Sequence, residues 1–255
     1  MQLNRPIIQV EGLEKKYGDF TAVDHISFEV YEGEIFGLLG PNGAGKSTTL
    51  EILETLREKT SGKVIIDGID LDKDPAAIKK IIGVQLQTSG FYPSLTLKEL
   101  IALFNGLYNK NVDPIALLKT VNLEDKAKSK AKELSGGQRQ RFSIATTLIN
   151  DPKIIFLDEP TTGLDPQARR NLWDLILEIK QKGTTVILTT HYMDEAEQLC
   201  DRIAIIDKGK IIKVATPGAM IDDLLATGFE KPKPVKAATL EDVFINLTGR
   251  EIRDI

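Results

Sequence analysis

The eight residues Gly40–Ser47 fit a loop pattern that surrounds phosphate groups with hydrogen-bond donors. Its three glycines would let the backbone bend so that its N–H groups point inward, and the helix that follows would add the positive end of its dipole. Lys46 could bring a positive charge to the β- and γ-phosphates, and the Ser47 hydroxyl could bind Mg²⁺. The loop residues predicted to bind a nucleotide are Asn42, Gly43, Ala44, Gly45, Lys46, Ser47 and Thr48.

The flanks of this loop decide between a phosphate site and an ordinary glycine-rich turn. Ile35–Leu39 is a short apolar run that predicts a buried strand, and Thr48–Leu56 predicts a helix. A strand, a loop and a helix in this order are the context that the phosphate-binding pattern requires. We therefore favour the phosphate site.

Two carboxylates follow another apolar run, Lys153–Leu157, which predicts a buried parallel strand. Ligands of open α/β sheets bind at the carboxyl ends of such strands. Asp158 is therefore suited to hold Mg²⁺ through water, and Glu159 to orient and polarise an attacking water. The alternative is that Asp158 and Glu159 only cap the end of the strand on a surface loop. The presence of the phosphate loop in the same chain favours the ligand site. His191 follows the predicted strand Thr184–Thr190, which places it beside the same site.

A serine and two glycines, within Leu134–Gln138, precede a helix predicted over Arg139–Ile149. Such a helix start is a second place that favours an anion. Because one chain rarely needs two triphosphate sites for one ligand, we expect this segment to face a ligand bound by another subunit. Asp165 is a predicted N-cap, with Pro166 at the first position of a helix that extends to Lys182.

The remaining pattern predicts an α/β protein. Two antiparallel strands are expected before the phosphate loop, and a mostly helical stretch is expected between the two nucleotide motifs. The further predicted strands are Ile7–Leu13, His25–Val30, Gly62–Gly68, Ile81–Leu86, Arg202–Asp207 and Lys210–Val214. The further predicted helices cover Pro75–Lys80, a stretch from Thr96 to about Leu123, and two segments separated by Lys231–Pro234.

Composition limits the possible functions. The chain has 255 residues and a net charge of -4, so bulk attraction to nucleic acid is not expected. The single cysteine, Cys200, excludes an internal disulfide. No run approaches the ~18 apolar residues of a membrane span, and Met1–Pro6 has no signal-peptide core. We expect any work at a membrane to require a partner.

Taken in order, the motifs resemble the full series of an ATP-binding cassette (ABC) transporter ATPase subunit. The residues that carry this resemblance are Gly40–Ser47, Gln87, Leu134–Gln138, Ile154–Glu159, Asp165 and His191. The resemblance implies a P-loop ABC ATPase fold with a mainly parallel core sheet, an N-terminal antiparallel β subdomain and an inserted α-helical subdomain. It also implies ATP and Mg²⁺. The expected domain covers residues 1–215, with the helical insert at about 88–150, and a helical extension covers 216–255.

The resemblance assigns roles to residues at matching positions. Tyr17 would stack on adenine, and Gln87 would sense Mg²⁺ and the γ-phosphate where a membrane subunit docks. Asp165 would link the two sites of a dimer. The catalytic residues would be Glu159, which acts as the base, His191, Lys46 and Gln87. The metal ion would be held by Ser47, Gln87 and Asp158. The γ-phosphate of the ATP bound by the opposite subunit would be capped by Ser135, Gly136, Gly137 and Gln138.

A finer resemblance concerns transport. Thr239–Arg250 is similar to the C-terminal segment of ABC-2 type ATPases, which usually serve exporters. This finer resemblance favours export over import. The ABC ATPase resemblance as a whole implies a homodimer on the cytoplasmic face of the membrane, bound to a separate transmembrane permease, with no nucleic acid. The alternative is an ABC ATPase of translation or DNA repair. A single cassette, and no sustained heptads between Lys46 and Leu134, argue against it. The substrate stays open.

Overall fold

The computed structural model describes residues 5–85 and 90–230. Gln87 and Thr239–Arg250, to which the sequence assigns roles, lie outside the described residues, as does the second predicted C-terminal helix. The chain divides into two compact units, Met1–Pro217 and Gly218–Ile255. The predicted limits 1–215 and 216–255 stay predictions. Within the described ranges, no helix is long and apolar enough to span a membrane.

Strands and helices alternate through most of the chain. The strands are β1 (Pro6–Tyr17), β2 (Phe20–Tyr31), β3 (Ile35–Leu39), β4 (Ser61–Ile66), β5 (Ile69–Asp70), β6 (Ile82–Gln85), β7 (Ile154–Asp158), β8 (Thr185–Thr190), β9 (Arg202–Asp207) and β10 (Lys210–Ala215). The helices are α1 (Lys46–Leu53), α2 (Pro75–Ile81), α3 (Leu97–Tyr108), α4 (Pro114–Thr120), α5 (Gly136–Leu148), α6 (Pro166–Gln181), α7 (Met193–Leu199) and α8 (Pro217–Ala226).

The first sheet is antiparallel and has the order β2-β1-β4-β5. The second half of β2 alternates in burial: Ile26, Phe28 and Val30 are buried, while the residues between them are exposed. This period of two places one face of the sheet against the core and leaves the other in contact with water. The predicted N-terminal antiparallel subdomain is confirmed.

The second sheet has the order β10-β9-β3-β8-β7-β6, and all its neighbours are parallel except the pair β9 and β10. Every residue of β3 and β8 is buried. Strands covered on both faces need continuous apolar sequence, which explains why these runs lack alternation. The mainly parallel core sheet is confirmed. The carboxyl ends of β3, β7 and β8 lie side by side at one edge.

Helices α3, α4 and α5 form the insert between β6 and β7. The stretch predicted to be mostly helical, from Thr96 to about Leu123, contains two helices, α3 and α4. Asn109 ends α3 in a left-handed conformation with φ of 52°, and Asp113 caps the start of α4.

One predicted helix start needs correction, and one helix was missed. α5 begins at Gly136 and not at Arg139, since Ser135 and Gln138 form a capping box around the glycines. α7 was not predicted at all. It has seven residues, and the residue at its N-cap, Tyr192, provides no side-chain cap.

Candidate nucleotide site

The phosphate loop joins the end of β3 to the start of α1. Two of its glycines are required by close backbone contacts. A Cβ atom on Gly40 would lie 2.1 Å from the carbonyl oxygen of Ile206, and one on Gly45 would lie 2.5 Å from that of Ala22. Gly45 also has φ of 102°, which L residues rarely adopt. The neighbouring backbone therefore leaves no room for a side chain at Gly40 or Gly45.

Lys46 is the buried cation of the site, with 4% of its surface exposed. Its Nζ donates to the carbonyl oxygens of Gly40 at 2.8 Å and Pro41 at 3.1 Å. Burial lowers the pKa of Lys46, and the negative charges of Glu159 and Asp158 act in the opposite direction. The ammonium group is thus fixed at the loop mouth beside two carboxylates.

Ser47, Asp158 and Thr189 form a chain of oxygen atoms across three elements. The Ser47 hydroxyl donates to Asp158 Oδ1 at 3.2 Å, and the Thr189 hydroxyl donates to the same oxygen at 2.5 Å. A hydroxyl and a carboxylate at this separation are hard oxygen donors, which fit a small divalent cation. Thr189 was not singled out from sequence. The only signal is a polar residue near the end of an apolar strand.

Glu159 and His191 follow adjacent parallel strands, β7 and β8, which brings them together. His191 Nδ1 lies 3.3 Å from Glu159 Oε1, close enough for an ion pair but without hydrogen-bond geometry within the described residues. Lys46 Nζ is 3.7 Å from the same oxygen, and the Thr162 hydroxyl donates to Glu159 Oε2 at 3.2 Å.

The backbone at Glu159 is strained, with φ of 46°. Its N–H donates to the Thr189 hydroxyl at 2.9 Å, which helps to hold this conformation. The side chain is therefore directed into the site by the backbone as well as by its three neighbours. No feature of the sequence indicates this conformation.

A cavity of about 380 Å³ opens over the phosphate loop. Tyr17 lies at its edge and is 42% exposed, with the Arg57 guanidinium 5.4 Å from its ring centre. Phe20, paired with Tyr17 across the turn between β1 and β2, adds a second aromatic ring that sequence analysis missed. The cavity is lined by Tyr17, Phe20, Ala22, Asn42, Gly43, Gly45, Lys46, Ser47, Thr48 and Glu159. Ala44, also predicted to bind the nucleotide, is buried within the loop and does not line the cavity.

The segment Ser135–Gln138 does not line this cavity. The Ser135 hydroxyl accepts from the Gln138 N–H at 3.3 Å, and Gln138 Oε1 accepts from the Ser135 N–H at 3.0 Å. A Cβ atom on Gly137 would lie 2.9 Å from the Ala168 Cβ, so this glycine lets α5 approach α6 closely. Asp165 caps α6 through a 2.8 Å hydrogen bond to the Ala168 N–H. Ser135 and Asp165 are both exposed.

The profile of the family described as ABC transporter matches residues 23–162. The chain belongs to the ABC transporter family. It is 37% identical to the Nod factor export ATP-binding protein I of Ralstonia nicotianae, over 98% of this chain and 96% of that protein. It is 41% identical to the probable multidrug ABC transporter ATP-binding protein YbhF of Escherichia coli, over 94% of this chain and 41% of YbhF.

Solved structures of ABC cassettes share the fold. The ATP-binding cassette MJ0796, a dimer in a post-hydrolysis state with ADP and phosphate, is 31% identical with a TM-score of 0.73, over 82% of this chain and 98% of the cassette. The ADP form of the cassette MJ1267 is 27% identical with a TM-score of 0.77, over 88% and 96%. This chain is therefore an ATP-binding subunit of an ABC transporter and an ATPase.

Proposed function

We propose that two copies of this ABC ATPase enclose two ATP molecules and that this closure powers export through a separate permease. The observation that carries the proposal is the division of the expected ATP-binding residues into two groups. Lys46, Ser47 and Glu159 line one cavity. Asp158 contacts Ser47, and His191 lies beside Glu159. Ser135–Gln138 stands outside this cavity, at an exposed helix start. Such a segment is available to cap the ATP of a second copy.

Within one half-site, the residues have separate tasks in hydrolysis. Lys46 binds the β- and γ-phosphates as a point charge. Glu159 takes a proton from the attacking water, since Lys46, Thr162 and His191 hold its carboxylate at the site. His191 contacts the γ-phosphate. Ser47 and Asp158, with Gln87, would hold Mg²⁺, which neutralises phosphate charge when bound.

The cycle follows from differential binding. ATP joins the phosphate loop of one copy to the Ser135–Gln138 segment of the other through its γ-phosphate. Hydrolysis removes that phosphate, so the closed dimer loses the interaction that distinguished it from the open state. The copies then separate, and the movement passes to a permease through the region of Gln87 and helices α3–α5.

Export is supported by the relatives, since one is named for Nod factor export and another for probable multidrug transport. The ABC-2 resemblance of Thr239–Arg250 agrees with it. The proposal places the chain at the inner face of the membrane, bound to its permease. Purification from membranes under mild detergent tests this: a multi-helix membrane protein should accompany the chain, and recovery with ribosomes would contradict the transport role.

A mixing experiment tests the shared site. Lys46→Ala should abolish ATP binding, whereas Ser135→Phe should leave ATP binding by the monomer intact and abolish hydrolysis. A mixed dimer contains one site with an intact loop and an intact capping segment, so combining the two inactive variants should restore hydrolysis. The same total concentration of either variant alone is the control.

Two results would contradict the shared site. One is equal loss of monomer ATP binding in both variants, which would place Ser135 beside the loop of its own chain. The other is a Ser135→Phe variant that hydrolyses ATP at the parental rate.

A further inference from the structure

Three buried polar side chains meet behind the site. Thr161 and Glu195 are 0% exposed and Thr190 is 1% exposed. Glu195 lies in the first turn of α7, and its Oε1 accepts from the Trp173 indole N–H of α6 at 3.2 Å. Burial raises the pKa of Glu195, and the hydroxyls of Thr190 and Thr161 lie close enough to act in the opposite direction. Glu195 is thus surrounded by polar groups from three separate segments.

Each threonine belongs to a segment that carries a site residue. Thr190 immediately precedes His191, and its carbonyl oxygen accepts from the N–H of Gly40, the first residue of the phosphate loop, at 3.3 Å. Thr161 lies two residues after Glu159, in the loop that leads to Asp165. The Glu195 carboxyl therefore stands between the strand end that presents His191 and the loop that joins Glu159 to Asp165.

A second contact ties the same elements together nearer the surface. The Arg169 guanidinium of α6 lies 4.4 Å from the ring centre of Tyr192 and donates to Asp194 at 3.2 Å. Helix α6, which Asp165 caps, is thus attached to the segment after β8 at Tyr192 and Asp194, as well as at Glu195. Movement of either segment must change these contacts.

The buried cluster is not fully hydrogen-bonded. Within the described ranges, Glu195 Oε2 and Thr161 Oγ1 have no hydrogen bond of good geometry, although both atoms are buried. Unpaired buried polar atoms are costly, so a small shift of the Thr161 loop that completes this bond would be favourable.

We propose that Glu195 is a positioning residue, which holds the strand end carrying His191 against the loop that joins Glu159 to Asp165. It acts on hydrolysis through these two segments and does not touch the nucleotide. This inference rests on the proposed roles of Glu159 and His191. It predicts that loss of the link lowers the rate constant for hydrolysis and spares ATP binding, because the phosphate loop and Tyr17 stay in place.

Four variants of the full chain test this, with kcat taken from phosphate release and the ATP Kd from calorimetry. Glu195→Ala and Thr161→Val should lower kcat by about tenfold to a hundredfold, the scale of a small misplacement of catalytic groups, with the parental Kd. Glu195→Gln should keep most of the rate, since its amide oxygen can still accept from the Trp173 indole N–H and the side chain keeps its shape. Glu34→Gln is the control, a buried carboxyl paired with Arg202 before the amino end of β3, and should keep the parental kcat.

The outcomes separate this inference from the proposed function. Parental kcat in Thr161→Val or Glu195→Ala would overturn it, as would a Glu195→Gln variant as slow as Glu195→Ala or an equal loss in Glu34→Gln. If Glu195→Ala does not fold, Thr161→Val still tests the positioning role, because valine keeps the shape of the threonine side chain. A parental protein without ATPase activity would instead refute the proposed function.

Discussion

Glu54 should make the folded protein less stable as the pH rises, and Glu54→Gln should remove that dependence. Glu54 caps the C-terminal end of α1 and is 2% exposed. Its Oε1 has no hydrogen-bond partner within residues 5–85 and 90–230. Burial raises the pKa of Glu54 from 4.5 to about 8, and the negative charges of Asp158 and Glu51 add to this effect. The folded protein therefore keeps this carboxyl protonated at neutral pH.

Proton linkage gives the direction in which the free energy of unfolding changes with pH. Between about pH 4.5 and 8 the folded state holds the proton and the unfolded state has released it, so the free energy of unfolding falls as the pH rises through this window. Each pKa unit corresponds to about 1.4 kcal/mol, which gives about 5 kcal/mol at most for the whole shift. That is a large fraction of the roughly 5–15 kcal/mol stability of a typical domain.

Urea unfolding of the parent and of Glu54→Gln at pH 5, 7 and 9 measures the effect. The variant should gain stability relative to the parent from pH 5 to pH 9, by several kcal/mol, since glutamine does not ionise. Glu58→Gln, an exposed glutamate in the loop after α1, should follow the parent at each pH. Parallel curves for the parent and Glu54→Gln would refute the argument that burial keeps Glu54 protonated.

Two further predictions concern the phosphate loop and the stacking of Tyr17 on adenine. Gly40→Ala should lower the free energy of unfolding by about 1–3 kcal/mol, because its Cβ would overlap the Ile206 carbonyl oxygen. Gly106→Ala in α3, whose Cβ meets no atom within 4 Å, is the comparison in thermal unfolding, and equal losses would contradict this reason. Tyr17→Leu should weaken ATP binding by about tenfold, the value of one base–aromatic stack, with little change in kcat; an unchanged Kd in calorimetry would show that Tyr17 does not stack on adenine.

Much of the site could be predicted because its residues follow strands whose burial is visible in the sequence. Continuous apolar runs before Gly40, Asp158 and His191 predict parallel strands, and parallel strands bring their carboxyl ends together. The contacts among Lys46, Asp158 and Glu159 follow from that arrangement.

The parts that sequence analysis missed depend on distant or weak signals. The contact between Trp173 and Glu195 joins two helices, and nothing local distinguishes Glu195 from an exposed helix glutamate. The left-handed backbone of Glu159 is imposed by its surroundings, not by its residue type. The start of α4 had a visible signal in Asp113 and Pro114, which the prediction did not use to divide the helical stretch.

The most direct test of the central claim is the size of the Glu159→Gln variant with and without ATP. Without its catalytic base the variant should bind ATP and fail to hydrolyse it, so the closed dimer should persist. Light scattering on an eluting column should then show a dimer with ATP and a monomer without it, and Lys46→Ala should remain monomeric in both conditions. A Glu159→Gln variant that stays monomeric with ATP and hydrolyses it at the parental rate would contradict ATP-driven dimerisation.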